Sequence, residues 1–357
     1  MRSKLNYLAP MYLDHASTTP MDDRVFEAMK PYFQIHYGNP SASNQHAVKP
    51  KQAIESARDA VADLLSASKD QILFNSGSTE SINHVLKSSF FSGLQIGKNH
   101  LVVSAIEHKA VLEVADYLET IGCQVTRVGV DSNGIIDLGE LSQSLTDKTF
   151  LVCLMLVNNE TGVIQPIHEV VSISKEKGIP VFTDATQAVG KMEVDATDLG
   201  VDYLCLSAHK ISGPKGVGAL YCKNPDSLEP LLHGGSQEKS RRGGTYNVPG
   251  IVGLGKAAEI ALRELDSRIF FYKKKKEKVL AEVIGADAVE NFLNAPKVDN
   301  IVSLTLKDEE NEEYLSKQRN KFSASTGSAC TAEIVQDSHV LRAIPGIEPK
   351  KVIRISI

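Results

Sequence analysis

Short apolar runs alternate along the chain with longer stretches in which apolar residues recur at helical spacing. The runs are typical of strands that are buried on both faces, and they cover residues 101–105, 150–157, 181–184, 203–207 and 217–222. The amphipathic stretches predict helices over residues 53–65, 78–87, 109–121 and 167–177. This alternation predicts an α/β fold, a large and mostly parallel sheet with helices on both of its faces.

The pattern becomes more polar from about Asp266. Charge runs at residues 273–276 and 308–313 are typical of solvated helix faces or loops. This change indicates that the C-terminal part forms a second, smaller domain, and we expect the large domain to cover residues 16–262. Residues 1–15 and 263–357 are expected to form a smaller α+β domain packed on it.

Composition narrows the classes of function. The chain has 357 residues, 42% of them hydrophobic, and a net charge of −5, which gives no general field for binding nucleic acid or an anionic membrane. It contains no apolar run of roughly 18 residues, and its start lacks the apolar segment of a signal peptide. We therefore expect a cytoplasmic protein. The five cysteines are odd in number and widely spaced, which disfavours a disulfide framework and a zinc site.

Lys210 is the first candidate for chemistry. It lies where an apolar strand ends, within the segment SAHKISGPKG (207–216). Burial disfavours the charge of a lysine, and an amine with a lowered pKa can form a Schiff base with an aldehyde. An ordinary surface lysine after a strand is the alternative.

Two further features fit the same chemistry. Asp184 ends the preceding strand, at the sheet edge where α/β proteins bind ligands. Pyridoxal phosphate (PLP) needs both a Schiff-base lysine and an anionic partner for its ring nitrogen. The turn NSGSTE (75–80) precedes an amphipathic helix and offers backbone N–H groups and hydroxyls to a phosphate. Helix capping is the alternative for Asp184, and an ordinary helix start is the alternative for the turn.

Motifs over nearly the whole chain resemble those of the cysteine desulfurases, fold-type I PLP enzymes of the class V aminotransferase group. These motifs are YLDHASTTP (12–20), GNPS (38–41), SGSTE (76–80), EHKA (107–110), VNNETG (157–162), DATQ (184–187), SAHKISGPKG (207–216), RGGT (242–245) and TGSACT (326–331). The form of the last one resembles the branch with a long cysteine loop.

The resemblance implies roles for individual residues. Lys210 would hold PLP, Asp184 would pair with the ring nitrogen and Gln187 with the phenolic oxygen. His108 would stack on the ring and act in acid–base steps, with a buried structural histidine as the alternative. Three further groups follow from the resemblance: a phosphate site of Ser78, Thr79, Ser207 and His209, a substrate site of Asn159 and Arg354, and Thr245 reaching the phosphate from the second subunit of a homodimer.

Cys330 lies in a run of small residues that indicates a loop, whereas the other four cysteines lie on or beside apolar segments. The residues alone leave its function an even choice. The resemblance implies that Cys330 takes sulfur from L-cysteine as a persulfide, releases L-alanine, and passes the sulfur to an acceptor or iron–sulfur scaffold protein. Iron–sulfur assembly, tRNA thiolation and DNA phosphorothioation remain open as pathways.

One departure concerns the end of the sequence. Family members usually continue with another helix, whereas Ile357 follows Arg354 by three residues. We therefore expect a weakened Arg354 site and a poor apparent affinity for cysteine. Two alternatives remain: another PLP enzyme of the same fold, such as a selenocysteine lyase or an aminotransferase, and a non-catalytic scaffold.

Overall fold

The computed structural model describes residues 10–326 and 337–357. Its strands are β1 Met11–Tyr12, β2 Ile72–Asn75, β3 His100–Ser104, β4 Gln124–Val128, β5 Thr149–Cys153, β6 Val181–Asp184, β7 Tyr203–Ser207, β8 Gly218–Cys222, β9 Ala288–Glu290, β10 Ile301–Leu306, β11 Phe322–Ser323 and β12 Val352–Ser356. Its α-helices are α1 Asp23–Met29, α2 Pro31–Gln34, α3 Val48–Leu64, α4 Ser78–Gln95, α5 Lys109–Thr120, α6 Leu138–Ser144, α7 Ile167–Lys175, α8 Ala196–Leu199, α9 Val248–Arg263, α10 Leu265–Val279, α11 Asn311–Gln318 and α12 His339–Ala343.

The main sheet has the strand order β2-β8-β7-β6-β5-β3-β4. Strand β8 is antiparallel to both of its neighbours, and the other pairs are parallel. Alternate residues enter different cores. Val152 packs in a cluster with residues of α3, α7 and α9, whereas Leu151 packs with residues of α4 and α5 on the opposite face. The predicted α/β fold, with helices on both faces, is confirmed.

Most predicted elements exist, but some bounds differ. The predicted strand 150–157 ends at Cys153, although Leu154 N and Leu156 N still donate to carbonyls of β6. Helix α3 begins at Val48, five residues earlier than predicted, and accommodates Pro50 in its first turn, where a proline costs no helical hydrogen bond. Helix α4 continues eight residues past Lys87, to Gln95.

Two smaller sheets lie outside the main one. One is antiparallel with the order β12-β10-β9, and the other pairs β1 with β11 in parallel. Their apolar side chains share one core cluster, which joins Leu13 near the start to Leu304 and Ile355 near the end. The domain limits at residues 16 and 262 stay a prediction. Within the described residues, no helix is both long and apolar enough to cross a bilayer.

Candidate active site

A cavity of about 410 Å³ opens at the carboxyl ends of β6 and β7. This volume lies in the range of small-molecule sites. It brings together most of the side chains that the sequence singled out, namely Ser78, Thr79, His108, Asn159, Asp184, Gln187, Ser207, His209, Lys210 and Arg354. Thr245 does not line this cavity, and Cys330 lies outside the described residues.

Lys210 is held at the wall of the cavity by the N-terminal segment. Strand β7 ends at Ser207, and a single 3-10 turn then carries Lys210. Its Nζ donates to the carbonyl oxygens of Ala16 at 2.5 Å and Ser17 at 2.7 Å. The hydroxyl of Thr19 donates to the carbonyl of His209 at 2.8 Å, which fixes the turn. These bonds hold the amine at the wall of the cavity.

Asp184 and Gln187 lie on the turn that follows β6. Asp184 is buried, and its Oδ1 accepts the N–H of Thr186 at 2.9 Å, so it caps a turn rather than a helix. Gln187 Nε2 donates to Ala16 O at 2.9 Å. Its Oε1 is buried without a hydrogen-bond partner in the described structure. Such an atom is costly to leave unpaired, which indicates space for a polar ligand.

His108 is the N-cap of α5. Its Nδ1 accepts the N–H of Ala110 at 3.1 Å, so the neutral ring carries its proton on Nε2. Burial lowers the pKa of His108, and the Asp184 carboxylate opposes this while Lys210 adds to it. The site therefore contains a neutral imidazole at neutral pH.

A cup of hydroxyl groups surrounds the start of α4. Ser207 Oγ accepts the N–H of Ser78 at 2.8 Å, and the Ser78 hydroxyl lies 2.6 Å from that of Thr186. Gly77 has a φ of 144°, a conformation that favours glycine, and a Cβ on Gly218 would lie 2.6 Å from its Cα. The two glycines thus allow β8 to pass directly beside the turn. A helix N-terminus with converging hydroxyls favours a phosphate.

The same cup contains two basic side chains, His209 and Lys215. The pKa of His209 is lowered to about 4 by burial and by the positive charges of Lys210 and Lys215. Its Nδ1 lies 3.1 Å from the hydroxyl of Thr18. His209 is therefore neutral at neutral pH and acts as a hydrogen-bonding wall rather than as a charge.

Arg354 projects from β12 to the other side of the cavity. Its Nη2 contacts Asp14 Oδ1 at 2.6 Å and Ser17 Oγ at 3.0 Å, and its Nη1 donates to Asn159 O at 3.0 Å. Its Nε and Asn159 Oδ1 are buried without partners in the described structure. Strand β12 is paired with β10, and the backbone of Arg354 also bonds Ser325 in both directions. These bonds tie the backbone of Arg354 to two neighbouring segments, and the weakened site and the poor affinity for cysteine stay predictions.

The residues fit PLP. The amine of Lys210 and the carboxylate of Asp184 line the same cavity as Ser78, Thr79, Ser207 and His209 of the hydroxyl cup, which we call the phosphate cup. Gln187 contributes the unpaired oxygen at the wall of this cavity. No role was predicted for Asp14, Thr186 or Lys215. Each of them stands in a family motif, Asp14 in YLDHASTTP, Thr186 in DATQ and Lys215 in the lysine segment. Their contacts, such as that of Asp14 with Arg354, depend on the fold.

The four described cysteines are all buried, as expected. Burial raises the pKa of the Cys123 thiol to about 11 and that of Cys222 to about 12, and it raises those of Cys153 and Cys205 strongly. None of these thiols is poised as a nucleophile. In the same described ranges, no cluster of side chains suits a metal ion.

The fold and the cavity define a PLP-type α/β enzyme, and the comparisons give its family. Residues 11–357 match the model of the aminotransferase class-V family, and the chain belongs to that family. It is 41% identical over 338 residues to the cysteine desulfurase IscS of Dictyoglomus turgidum, covering 94% of this chain and 85% of that protein.

Two solved structures are similar over most of their length. A NifS-like protein superposes with a TM-score of 0.90 at 36% identity, covering 98% of this chain and 93% of the other. SspA in complex with cysteine superposes with a TM-score of 0.87 at 36% identity, covering 97% and 98%.

Proposed function

We propose that this protein is a PLP-dependent cysteine desulfurase that moves sulfur from L-cysteine to Cys330. The observation that carries the proposal is the meeting of Lys210, Asp184 and Arg354 in one cavity. An amine, a carboxylate and a guanidinium there match the aldehyde, the ring nitrogen and the amino-acid carboxylate that such an enzyme must bind. The relationship to IscS proteins supports the same reaction.

Lys210, Asp184, Gln187 and the phosphate cup are the residues that would hold PLP. When bound, PLP supplies an electron sink that stabilises negative charge on the substrate carbon. Lys210 would hold the aldehyde end, and its amine would move a proton to and from the substrate carbon. The neutral His108, whose Nδ1 accepts the N–H of Ala110, would face the ring with its Nε2–H free to donate. Asp184 stays fixed by the Thr186 N–H at 2.9 Å, which keeps its carboxylate in place.

Arg354 and Asn159 would bind the substrate. The unpaired Nε of Arg354 and the unpaired Oδ1 of Asn159 are both buried. The two residues are in contact, because Arg354 Nη1 donates to Asn159 O. A carboxylate and an ammonium of an amino acid satisfy a donor and an acceptor of this kind. Asp14 Oδ1 pairs with Arg354 Nη2 at 2.6 Å and so restricts the direction of the guanidinium.

The proposed sulfur step is balanced without a further reagent. The Cys330 thiolate attacks the sulfur of L-cysteine, an S–S bond forms, and the Cβ–S bond breaks with its electron pair left on carbon. That carbon takes the proton of the substrate thiol and becomes the methyl group of L-alanine. The buried state of the other four cysteines leaves Cys330 as the candidate nucleophile.

We also propose a homodimer. Thr245 is exposed and lines a separate recess of about 190 Å³ with Ser76 and Arg242. Helices α1 and α2 pack on α9, which begins just after Thr245. The segment that contains α1 and α2 exposes four large apolar side chains, those of Phe26, Phe33, Ile35 and Tyr37. A second copy that covers this face would bury them and bring its Thr245 to the phosphate cup.

The wider setting follows the same proposal. A sulfur-acceptor or iron–sulfur scaffold protein would take the persulfide sulfur, in the cytoplasm. Residues 16–262 would form the PLP-binding domain, and residues 1–15 and 263–357 the domain that carries Cys330. No direct contact with nucleic acid or membrane is part of the proposal.

The test compares the wild type with Lys210→Ala. The purified wild type should show a visible absorbance band with PLP, and L-cysteine should yield L-alanine. Lys210→Ala should show neither. A product that appears only with an added 2-oxo acid would favour an aminotransferase. Alanine that forms only from selenocysteine would favour a selenocysteine lyase. The absence of a band at any PLP concentration would favour a scaffold.

A further inference from the structure

An acidic side chain lies in the wall of the phosphate cup. Glu80 is in the first turn of α4 and lines the recess of about 340 Å³ that Gly77, Ser78 and Thr79 also form. Its side chain is only 10% exposed. An uncompensated carboxylate in this position would repel a phosphate dianion, because poor solvation strengthens repulsion between like charges.

Arg242 compensates this charge with a fork of hydrogen bonds. Its Nε donates to Glu80 Oε1 at 2.8 Å and its Nη2 to Glu80 Oε2 at 3.2 Å. The same carboxylate accepts the N–H of Ser76 at 2.9 Å. Burial alone would raise the pKa of Glu80, but these hydrogen bonds hold it below its usual value. Glu80 is therefore ionised, paired, and used to shape the turn before α4.

The loop that delivers Arg242 is held in a strained conformation. Glu238, Lys239 and Ser240 have φ values of 45°, 54° and 66°, which side chains other than glycine rarely adopt. Glu238 is anchored by Arg58, whose two Nη atoms each donate to it at 2.8 Å. Strain that the surroundings hold in place is typical of functional segments.

The same loop reaches the chain on both sides of the phosphate turn. Glu238 accepts the N–H of Phe74 at 2.9 Å, just before the turn begins at Asn75. Arg242 binds Glu80, just after Thr79. The position of Arg242 is thus coupled to the turn itself and not only to the surface.

We propose that Arg242 is a specificity-determining residue of the phosphate cup, which neutralises Glu80 so that the cup accepts a phosphate dianion. The site then selects the phosphorylated cofactor over the same aldehyde without phosphate. This inference rests on the proposed PLP chemistry, and it concerns only the phosphate end of the cofactor.

The experiment measures binding of PLP and of pyridoxal to the cofactor-free protein. Pyridoxal lacks the phosphate, so it reports on the aldehyde end alone. In Arg242→Met, PLP affinity should fall about tenfold, which corresponds to about 1.4 kcal/mol, while pyridoxal affinity stays within about twofold. Removing the carboxylate charge as well, in Glu80→Gln with Arg242→Met, should restore PLP affinity to within about threefold of the wild type.

Lys239→Met is the matched control. Lys239 lies on the same loop and pairs with Asp70 at 2.6 Å, but both side chains are largely exposed and outside the cup. It should change neither affinity. Equal losses of affinity for PLP and pyridoxal in Arg242→Met, or no recovery in the double variant, would show that the Glu80–Arg242 pair only stabilises the structure, and would overturn the inference. A wild type that binds pyridoxal and PLP equally would overturn it as well, whereas a wild type that binds neither would reject the proposed function.

Discussion

Lys191 is a buried lysine near the site, and its charge allows the electrostatics of the fold to be tested by stability measurements that need no enzymatic activity. Lys191 comes shortly after Asp184 and Gln187 in the chain. The residue is 7% exposed, and its Nζ has no hydrogen-bond partner among the described residues. Burial, with smaller contributions from Lys210 and Arg268, lowers its pKa to about 7. In an unfolded chain a lysine titrates near about 10.4.

The sign of the pH dependence follows from this difference. Between pH 7 and about 10 the unfolded chain binds a proton on Lys191 that the folded chain does not, so the free energy of unfolding rises with pH by about 1.4 kcal/mol per pH unit. Lys191→Met keeps the volume and removes the charge. It should stabilise the cofactor-free protein by roughly 3 to 5 kcal/mol at pH 7 and by little near pH 10.

Urea unfolding at a series of pH values measures this prediction. Lys307→Met, at an exposed lysine, is the control and should change stability by less than about 0.5 kcal/mol. If Lys191→Met leaves the pH slope unchanged, or destabilises the protein at pH 7, the buried amine is better solvated than its surroundings indicate and the reasoning is refuted.

Three further changes test the substrate site, the loop and the phosphate turn. Arg354→Lys removes the fork of donors and should raise KM for cysteine about tenfold or more with a smaller change in kcat; an unchanged KM would contradict its role. Glu238→Gln removes the buried carboxylate and leaves Arg58 paired only with the half-exposed Glu55, 3.4 Å from its Nε, so it should lower the free energy of unfolding by about 3 kcal/mol in urea titrations; a loss below about 1 kcal/mol would show that Glu55 or solvent compensates the guanidinium. Gly218→Ala brings a Cβ to 2.6 Å from the Cα of Gly77, so it should cost about 1 to 3 kcal/mol and weaken PLP binding; unchanged PLP affinity would separate β8 from the cup.

The local pattern of apolar and polar residues was sufficient to predict the central strands of the main sheet. Strands β6 and β7 have the bounds that their apolar runs predict, because both are buried on two faces and end at polar residues. The pattern of apolar residues does not indicate the direction of a strand, so the antiparallel orientation of β8 was not predicted. The edge strand β4 was also missed, since its sequence QVTRV is partly exposed and lacks an apolar run.

The partners within the site were harder to predict than its main residues. Asp184 and Lys210 stand at strand ends, which local pattern locates. Asp14 and Arg354 are 340 positions apart and meet where an isolated parallel bridge joins Asp14 to Ser356, the last residue of β12. Glu80 and Arg242 likewise meet across 162 positions. Such pairs depend on the tertiary fold and have no local signal.

The most direct test of the central claim is detection of the protein persulfide after addition of L-cysteine. Mass spectrometry of wild type, Cys330→Ala and the control Cys123→Ala, with L-alanine quantified in parallel, compares the proposed nucleophile with a buried thiol. The account predicts one added sulfur on Cys330 in the wild type and in Cys123→Ala, and neither persulfide nor sustained alanine formation in Cys330→Ala. A persulfide that persists in Cys330→Ala, or alanine formed at the wild-type rate without it, would contradict the account.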